Sequence, residues 1–193
     1  MRTATINRKT KETDITLSLT LDGTGKVDIK TGVGFFDHML TAFAVHSGVD
    51  LSVSCEGDLE VDCHHTVEDV GIVLGQAFLQ AVGDRAGIAR YGHFILPMDE
   101  ALSMAAIDIS GRAYLVFDAA FKDERIGAMD TQIVEEFWRA FAMNAAVTLH
   151  IKLLYGSNDH HKAEAIFKAA AHAVKMAIAV QKDKVVLSTK GCL

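Results

Sequence analysis

The chain has 193 residues, half of them hydrophobic, and a formal net charge of −6 from 19 Lys and Arg against 25 Asp and Glu. This length and composition exclude a disordered chain and allow one domain, or two small fused repeats, with a sizeable core. No apolar run approaches the ~20 residues of a membrane span, the N-terminus lacks the apolar stretch of a signal peptide, and an acidic chain without a basic block is a poor nucleic-acid binder.

Residues 13–21 alternate, with Ile15, Leu17, Leu19 and Leu21 on one side and Thr16, Ser18 and Thr20 on the other, which predicts a half-buried strand. Asp22-Gly23-Thr24-Gly25 is turn chemistry, after which residues 26–30 are expected to return as the partner strand of a hairpin. Phe36, Met39, Leu40, Phe43 and Ala44 recur at helical spacing and predict a helix ending near Ser47-Gly48. Val49, Leu51, Val53 and Cys55 alternate again as a strand, and a second helix is expected from about residue 66 towards Gly83. The second half repeats this order. Strands are expected over residues 101–108 and 113–119, joined by Ser110-Gly111, then a helix over about 131–145, a strand through Val147, Leu149, Ile151 and Leu153, and a long helix from His161 to about Gln181.

The two halves agree down to single residues. His38 to Val45 matches the apolar pattern of Glu136 to Met143, and Val49-Asp50-Leu51 then falls on Val147-Thr148-Leu149. Further on, His64-His65-Thr66-Val67-Glu68 matches His160-His161-Lys162-Ala163-Glu164. The chain therefore reads as one domain built by tandem duplication of a strand–strand–helix–strand–helix unit, with repeats at about 1–88 and 89–193. A unit this small buries its own face poorly, so two of them are expected to form one α+β body with sheets packed against helices.

Chemistry concentrates in the nine histidines. The pattern His-His-x-x-Glu occurs twice, each time at a loop-to-helix junction. Glu68 lies four residues from His64 and three from His65, so on a helix its carboxylate sits beside both imidazoles, and Glu164 stands likewise to His160 and His161. Adjacent helical side chains diverge by about 100°, so each pair is better suited to two metals than to chelating one. Imidazole and carboxylate without thiolate suit Mn2+, Fe2+ or Zn2+. His38 alone reads as a core histidine bonded to Asp37, but its repeat partner is Glu136, another competent ligand, which favours a metal role for both. His46 is a possible ligand contact, whereas His93, His150 and His172 are expected to be structural. Cys55, Cys63 and Cys192 lack metal or redox spacing and read as reduced thiols of a cytoplasmic protein. Two other classes fit a His- and Glu-rich chain: a metal-storage shell, against which the alternating strands argue, and a dinuclear phosphate-ester hydrolase.

At this point the residues carry a family resemblance. Asp37-His38-Met39-Leu40, residues 62–71 around His64-His65, Pro97-Met98-Asp99-Glu100, Asp108-Ile109-Ser110-Gly111-Arg112, Asn158-Asp159-His160-His161 and Ser188-Thr189-Lys190-Gly191 together resemble imidazoleglycerol-phosphate dehydratase, over essentially the whole chain. The resemblance implies a duplicated α+β fold of the ribosomal protein S5 domain 2-like kind. It also implies two Mn2+ ions per site and sites built between subunits of a 24-subunit homo-oligomer. The implied metal ligands are His38, His64, His65, Glu68, Glu136, His160, His161 and Glu164; plant members have histidine where this chain has Glu136. The substrate and its phosphate are expected to meet His38, His46, Arg90, Arg112, Lys168, Ser188, Thr189 and Lys190. Cys63 stands where many relatives have Asp, and Thr189 where many have Ser. Glu12 is implied as the proton shuttle near the departing hydroxyl, with His65, Glu68 and Glu164 also among the catalytic groups. The implied reaction removes water from D-erythro-imidazoleglycerol phosphate to give imidazoleacetol phosphate in L-histidine biosynthesis, through a metal-stabilised imidazolate.

Overall fold

The computed structural model describes residues 1–181 and 186–189. The first repeat runs β1 (Thr3–Lys9), β2 (Thr13–Thr20), β3 (Val27–Lys30), α1 (Gly34–Ser47), β4 (Asp50–Gly57) and α2 (His64–Val82). The second runs β5 (Tyr91–Met98), β6 (Ala101–Asp108), β7 (Tyr114–Asp118), a small hairpin of β8 (Arg125–Ile126) and β9 (Met129–Asp130), α3 (Ile133–Ala145), β10 (Thr148–Tyr155) and α4 (Asp159–Ala177). The two four-stranded sheets have matching orders, β1-β2-β4-β3 and β5-β6-β10-β7. The fold is α+β, and the duplication is visible as these two similar sheets.

Each repeat carries one leading strand beyond the unit expected from the pattern. In β1 only Ala4 is fully buried, and β5 places Gly92 and Pro97 where a strand signal would need β-branched or aromatic residues. Both are edge strands, held by their antiparallel neighbours β2 and β6 rather than by hydrophobic alternation of their own. The expected hairpin between β2 and β3 is not formed. β3 instead lies parallel to β4, with Ile29 opposite Val53, and β7 lies parallel to β10 in the same way. A parallel pair needs a crossover, and α1 and α3 supply it. α4 ends at Ala177 rather than near Gln181; the chain then turns back, and the Gln181 N–H reaches Gly87 O at 2.8 Å.

Helices fill the space between the sheets. α2 packs on β1 and β2, α4 packs on β5 and β6, and the repeats join where α2 meets α3 and α1 meets α4. The inward row Ile15, Leu17, Leu19, Leu51 and Val53 closes one side of the core. At its centre Trp138 of α3 meets Phe43 of α1 and Phe167 of α4 at ring separations of 6.0 and 4.9 Å, while Phe141 meets Phe78 of α2 at 5.6 Å. Among the described residues no helix is long and apolar enough to cross a membrane.

The α2–α3 contact depends on two glycines one helical turn apart. A Cβ on Gly75 would sit 2.7 Å from Phe141 O and 2.9 Å from Ala145 N, and one on Gly71 would sit 2.8 Å from Phe137 O. Alanine gains about 1 kcal/mol of helix propensity over glycine, but backbone atoms this close cannot yield without separating the helices, and overpacking costs about 1–3 kcal/mol. Gly75→Ala is therefore expected to destabilise the protein in denaturant unfolding; equal or greater stability would show that the helices can part without cost.

The β8–β9 hairpin has no counterpart in the first repeat, and it is tied to the start of α4. Asp159 Oδ2 accepts the N–H groups of Lys122 and Asp123 at 2.8 and 2.6 Å, and Oδ1 pairs with the buried Lys162 at 2.6 Å. Burial alone would raise the Asp159 carboxyl; these donors hold it below the usual carboxylate range. The end of α4 that carries His160 and His161 is thereby fixed.

Candidate metal and substrate site

Both His-His pairs stand in the first turn of a helix, where free N–H groups need acceptors. Asp62 Oδ1 accepts the His64 N–H at 2.7 Å, and Asn158 Oδ1 accepts those of His160 and His161 at 2.9 and 3.3 Å. These contacts set where each helix starts and hence where each imidazole points. The two rings of a pair diverge as adjacent helical residues must, with centroids 6.2 Å apart at 75° in the first pair and 6.1 Å apart at 84° in the second.

The inner ring of the second pair meets the first repeat. His160 Nε2 lies 3.3 Å from Glu164 Oε2, and His38 Nε2 of α1 lies 3.8 Å from the same oxygen. One donor atom from each residue falls within 4.8 Å of the others, the only such group among the described residues. His38 is not bonded to Asp37, whose Oδ1 instead takes the Thr31 N–H at 3.0 Å and hydroxyl at 2.6 Å. Burial alone would raise the Glu164 carboxyl, but Lys168 Nζ at 2.5 Å, with the two imidazoles, holds it below its ordinary value. A buried carboxylate kept ionised beside two imidazoles is a donor set that fits a divalent cation such as Mn2+.

The outer rings each face acidic side chains from turns. His65 Nδ1 meets Asp58 Oδ2 at 2.9 Å, and its Nε2 lies 3.8 Å from Glu12 in the β1–β2 turn. His161 Nδ1 meets Glu100 Oε2 at 2.7 Å, and its Nε2 lies 3.5 Å from Asp99 in the equivalent β5–β6 turn. Glu100 also accepts the N–H groups of Ser157 and Asn158 at 3.0 and 2.7 Å. An imidazole whose Nδ1–H is held by a carboxylate presents Nε2 as a lone pair in a fixed direction, the usual arrangement behind a metal-bound histidine.

That arrangement has a consequence in pH. Hydrogen bonding to Asp58 raises the affinity of His65 for a proton, and Glu100 does the same for His161. Protons compete with metal for the same lone pair, so with both groups above the ordinary 6.5 the competition starts on the alkaline side of that value. Mn2+ affinity is expected to weaken as pH falls from 8 to 6, approaching tenfold per unit for each imidazole that must lose a proton. Titration followed by the EPR signal of free Mn2+ measures this, and a pH-independent affinity would exclude both histidines as ligands.

The first pair is less gathered. His64 Nε2 lies 3.6 Å from Glu68 Oε2, while Glu136, the repeat equivalent of His38, turns its carboxylate to Arg139 at 3.3 Å. Arg139 also pairs with Glu135. The matching position in the first repeat is Thr41, whose hydroxyl bonds back to Asp37 O at 2.7 Å and leaves His38 free of any such hold.

The proposed phosphate contacts fall in two places. Arg90, Arg112, Ser188 and Thr189 line a cavity of about 620 Å3, with Tyr91, Val186 and Leu187. Lys190 lies outside the described residues. Lys168 sits instead beside Glu164, and His46 Nδ1 lies 3.3 Å from His172 Nε2, with His172 stacked on Phe94 at 4.3 Å. Burial, then Lys168 and His172, pushes His46 down, and burial with Lys175 does the same for His172. Sequence reasoning missed Asp58, Asp99 and Glu100 as partners of histidines, and His172 as the partner of His46. Asp99 and Glu100 were visible inside a motif but without a role, and the pattern held no signal that a turn residue such as Asp58 would meet a helix start.

The sequence model of the family described as imidazoleglycerol-phosphate dehydratase matches residues 31–174. An imidazoleglycerol-phosphate dehydratase of Acetivibrio thermocellus is 60% identical over 97% of both chains, and one of Methylorubrum extorquens is 57% identical over the full length of both. Among solved structures, the imidazoleglycerol-phosphate dehydratase of Staphylococcus aureus superposes with a TM-score of 0.85 at 42% identity, covering 93% of this chain and 99% of that one. The Pyrococcus furiosus protein, in complex with (S)-C348, gives 0.84 at 39% identity over 97% and 100%.

Proposed function

The chain belongs to the imidazoleglycerol-phosphate dehydratase family, hydro-lyases of histidine biosynthesis, and from that membership we propose that it is a two-Mn2+ enzyme whose own residues divide the reaction as follows. His38, His160 and Glu164 would hold one ion, and His64, Glu68 and Glu136, their equivalents under the duplication, the other. His65 and His161, turned away from these sets, would complete sites of neighbouring subunits. Bound Mn2+ supplies Lewis acidity toward the substrate imidazole and a template for its orientation. The observation that carries this reading is the meeting of His38 with His160 and Glu164 at one point, from two separate repeats.

The remaining work falls to the protein. Dehydration of D-erythro-imidazoleglycerol phosphate removes the C3 hydroxyl as water and the C2 proton, and the resulting enol becomes the ketone of imidazoleacetol phosphate. That C2 proton lies beside no carbonyl, so a base alone is insufficient, and proton transfer must be coupled to a substrate held still. Glu12 would carry the proton. Arg90, Arg112, Lys168, Ser188, Thr189 and Lys190, with His46, would hold the phosphate, and holding a remote group contributes to the rate by fixing orientation.

The dispersal of these residues over one chain supports sites shared between subunits of a homo-oligomer, which we take to have 24 copies. The two sheets differ in a way that fits this. The outer face of the first carries Thr5, Asn7, Thr16, Ser18, Ser52 and Ser54, whereas the second exposes Tyr91, Ile95, Tyr114 and Val116. Exposed aromatic and branched residues on both edge strands of this sheet support its contact with another copy of the chain. We place the enzyme in the cytoplasm, where the free, buried Cys55 and Cys63 stay reduced.

Product analysis tests the reaction. Purified protein with Mn2+ and imidazoleglycerol phosphate is expected to form a ketone while the phosphate stays on the product. Release of inorganic phosphate without ketone would overturn the assignment in favour of a phosphate-ester hydrolase.

A further inference from the structure

Behind the two arginines that line the 620 Å3 cavity stands a feature at odds with simple anion binding: a carboxylate. Asp108, the last residue of β6, takes Arg90 Nε on Oδ1 at 2.7 Å and Arg90 Nη2 on Oδ2 at 3.0 Å, and Arg112 Nη2 lies 3.5 Å from that same Oδ2. Left alone, it would repel a phosphate and cancel one of the two cations that attract it. Its presence therefore weakens the bulk attraction, and any gain must come from geometry.

The surrounding contacts show what geometry it fixes. The β5–β6 register sets Tyr91 opposite Asp108, and the Ile109 N–H bonds to Arg90 O at 3.1 Å, which brings the backbone of Arg90 beside the carboxylate. Arg90 takes a positive φ of 68° and is buried, with its guanidinium 4.6 Å over the Tyr91 ring. Its Nη1 donates to Leu187 O at 2.5 Å, the residue just before Ser188 and Thr189. A guanidinium has five N–H groups in a rigid fork. Among the described residues Asp108 takes two of them and Leu187 one, which leaves one on each terminal nitrogen, with their direction set by the plane that Asp108 fixes.

We propose that Asp108 is the positioning residue of the phosphate-binding end of the site, bracing Arg90 and Arg112 in one orientation and, through Arg90, seating the segment that carries Ser188 and Thr189. This rests on the reading that Arg90 and Arg112 receive the substrate phosphate. Pre-ordering donors lowers the cost of binding, because side-chain freedom is lost before the ligand arrives rather than on its arrival.

The test uses the full-length protein with steady-state kinetics and inorganic phosphate as a competitive inhibitor. Asp108→Asn is expected to raise KM and the inhibition constant of phosphate together, by about tenfold, the order of the cost of ordering two long side chains on binding, with kcat falling less. Asp108→Glu keeps the charge and lengthens the arm, and is expected to lie between wild type and Asn in both constants. Should Asp108→Asn not fold, the Glu variant alone decides: wild-type KM and phosphate inhibition in it would overturn the proposal. In a folded Asn variant, unchanged constants, or a lowered melting temperature with no change in phosphate inhibition, would overturn it too. Arg112→Ala separates the layers. If it raises both constants and Asp108→Asn does not, the positioning role fails while the phosphate placement stands; if Arg112→Ala itself leaves both unchanged, the phosphate placement fails and the proposal with it.

Discussion

Exhaustive chelation is expected to abolish dehydration of imidazoleglycerol phosphate, and addition of Mn2+ to restore it. The donor set gives the reason. Glu164 is buried yet held ionised, with Lys168 on one oxygen and the imidazoles of His38 and His160 facing the other. Expelling the C3 hydroxyl needs electron density pushed from the substrate ring, so the ring must first give up its N–H proton; a metal held by these donors would favour that loss as a Lewis acid, which Glu12 and the arginines are not. Lewis acidity of this kind contributes several kcal/mol, and at about 1.4 kcal/mol per tenfold the loss on chelation should reach roughly 10^3 or more. The measurement is the rate of ketone formation on one sample before chelation, after it, and after Mn2+ is returned, with bound metal counted each time. Activity that survives with less than one metal per ten chains would exclude the metal from the reaction.

Glu164→Ala offers a check that does not depend on chelator history. It removes the oxygen shared by His38 and His160 and leaves Lys168 without its partner. Loss of metal from this variant with a retained fold would locate the ion; full metal content would place it elsewhere.

The parts of this site legible in the sequence are those that follow from local period or from the repeat. His64 beside Glu68 and His160 beside Glu164 are consequences of helical spacing, and the divergence of each pair follows from the same geometry. Equating Glu136 with His38 required only the alignment of the two halves. What the alignment cannot state is which equivalent positions meet. His38 faces the second repeat's Glu164 because α1 packs on α4, a tertiary fact with no signature in either helix. The same limit explains the strands. β3 and β7 have the composition of hairpin partners, but pairing is set by the crossover helices that follow them, and β1 and β5 are edges whose stability comes from neighbours. Glu136 shows the opposite failure: its equivalence was visible, while its capture by Arg139 depended on a position where the repeats differ. The turn acids Asp58, Asp99 and Glu100 carried ordinary loop composition, and only the fold brings them to imidazoles.

Glu12→Gln is expected to remove most of the catalysis while leaving the protein and its metals intact. The side chain lies at the tip of the β1–β2 turn, and the turn itself is held by backbone and threonine contacts. Thr10 N–H bonds to Thr13 O at 2.8 Å, Thr10 Oγ1 accepts the Glu12 N–H at 3.0 Å, and the Asp58 N–H bonds to Glu12 O at 3.0 Å. None of these uses the carboxylate, so glutamine can take the same place without disturbing the turn. Among the described residues its side chain pairs with His65 alone, at 3.8 Å from Nε2, too long for a hydrogen bond but close enough that both groups could address one bound substrate. If Glu12 carries the proton between C2 and solvent, its replacement by an amide should lower kcat by about 10^2–10^4, with KM little changed. A residue that merely screened His65 would behave differently: its loss would alter metal content and leave kcat per bound metal near wild type. Comparing kcat per metal between the two proteins therefore decides the role, and a Gln variant with wild-type turnover per metal would remove Glu12 from the mechanism.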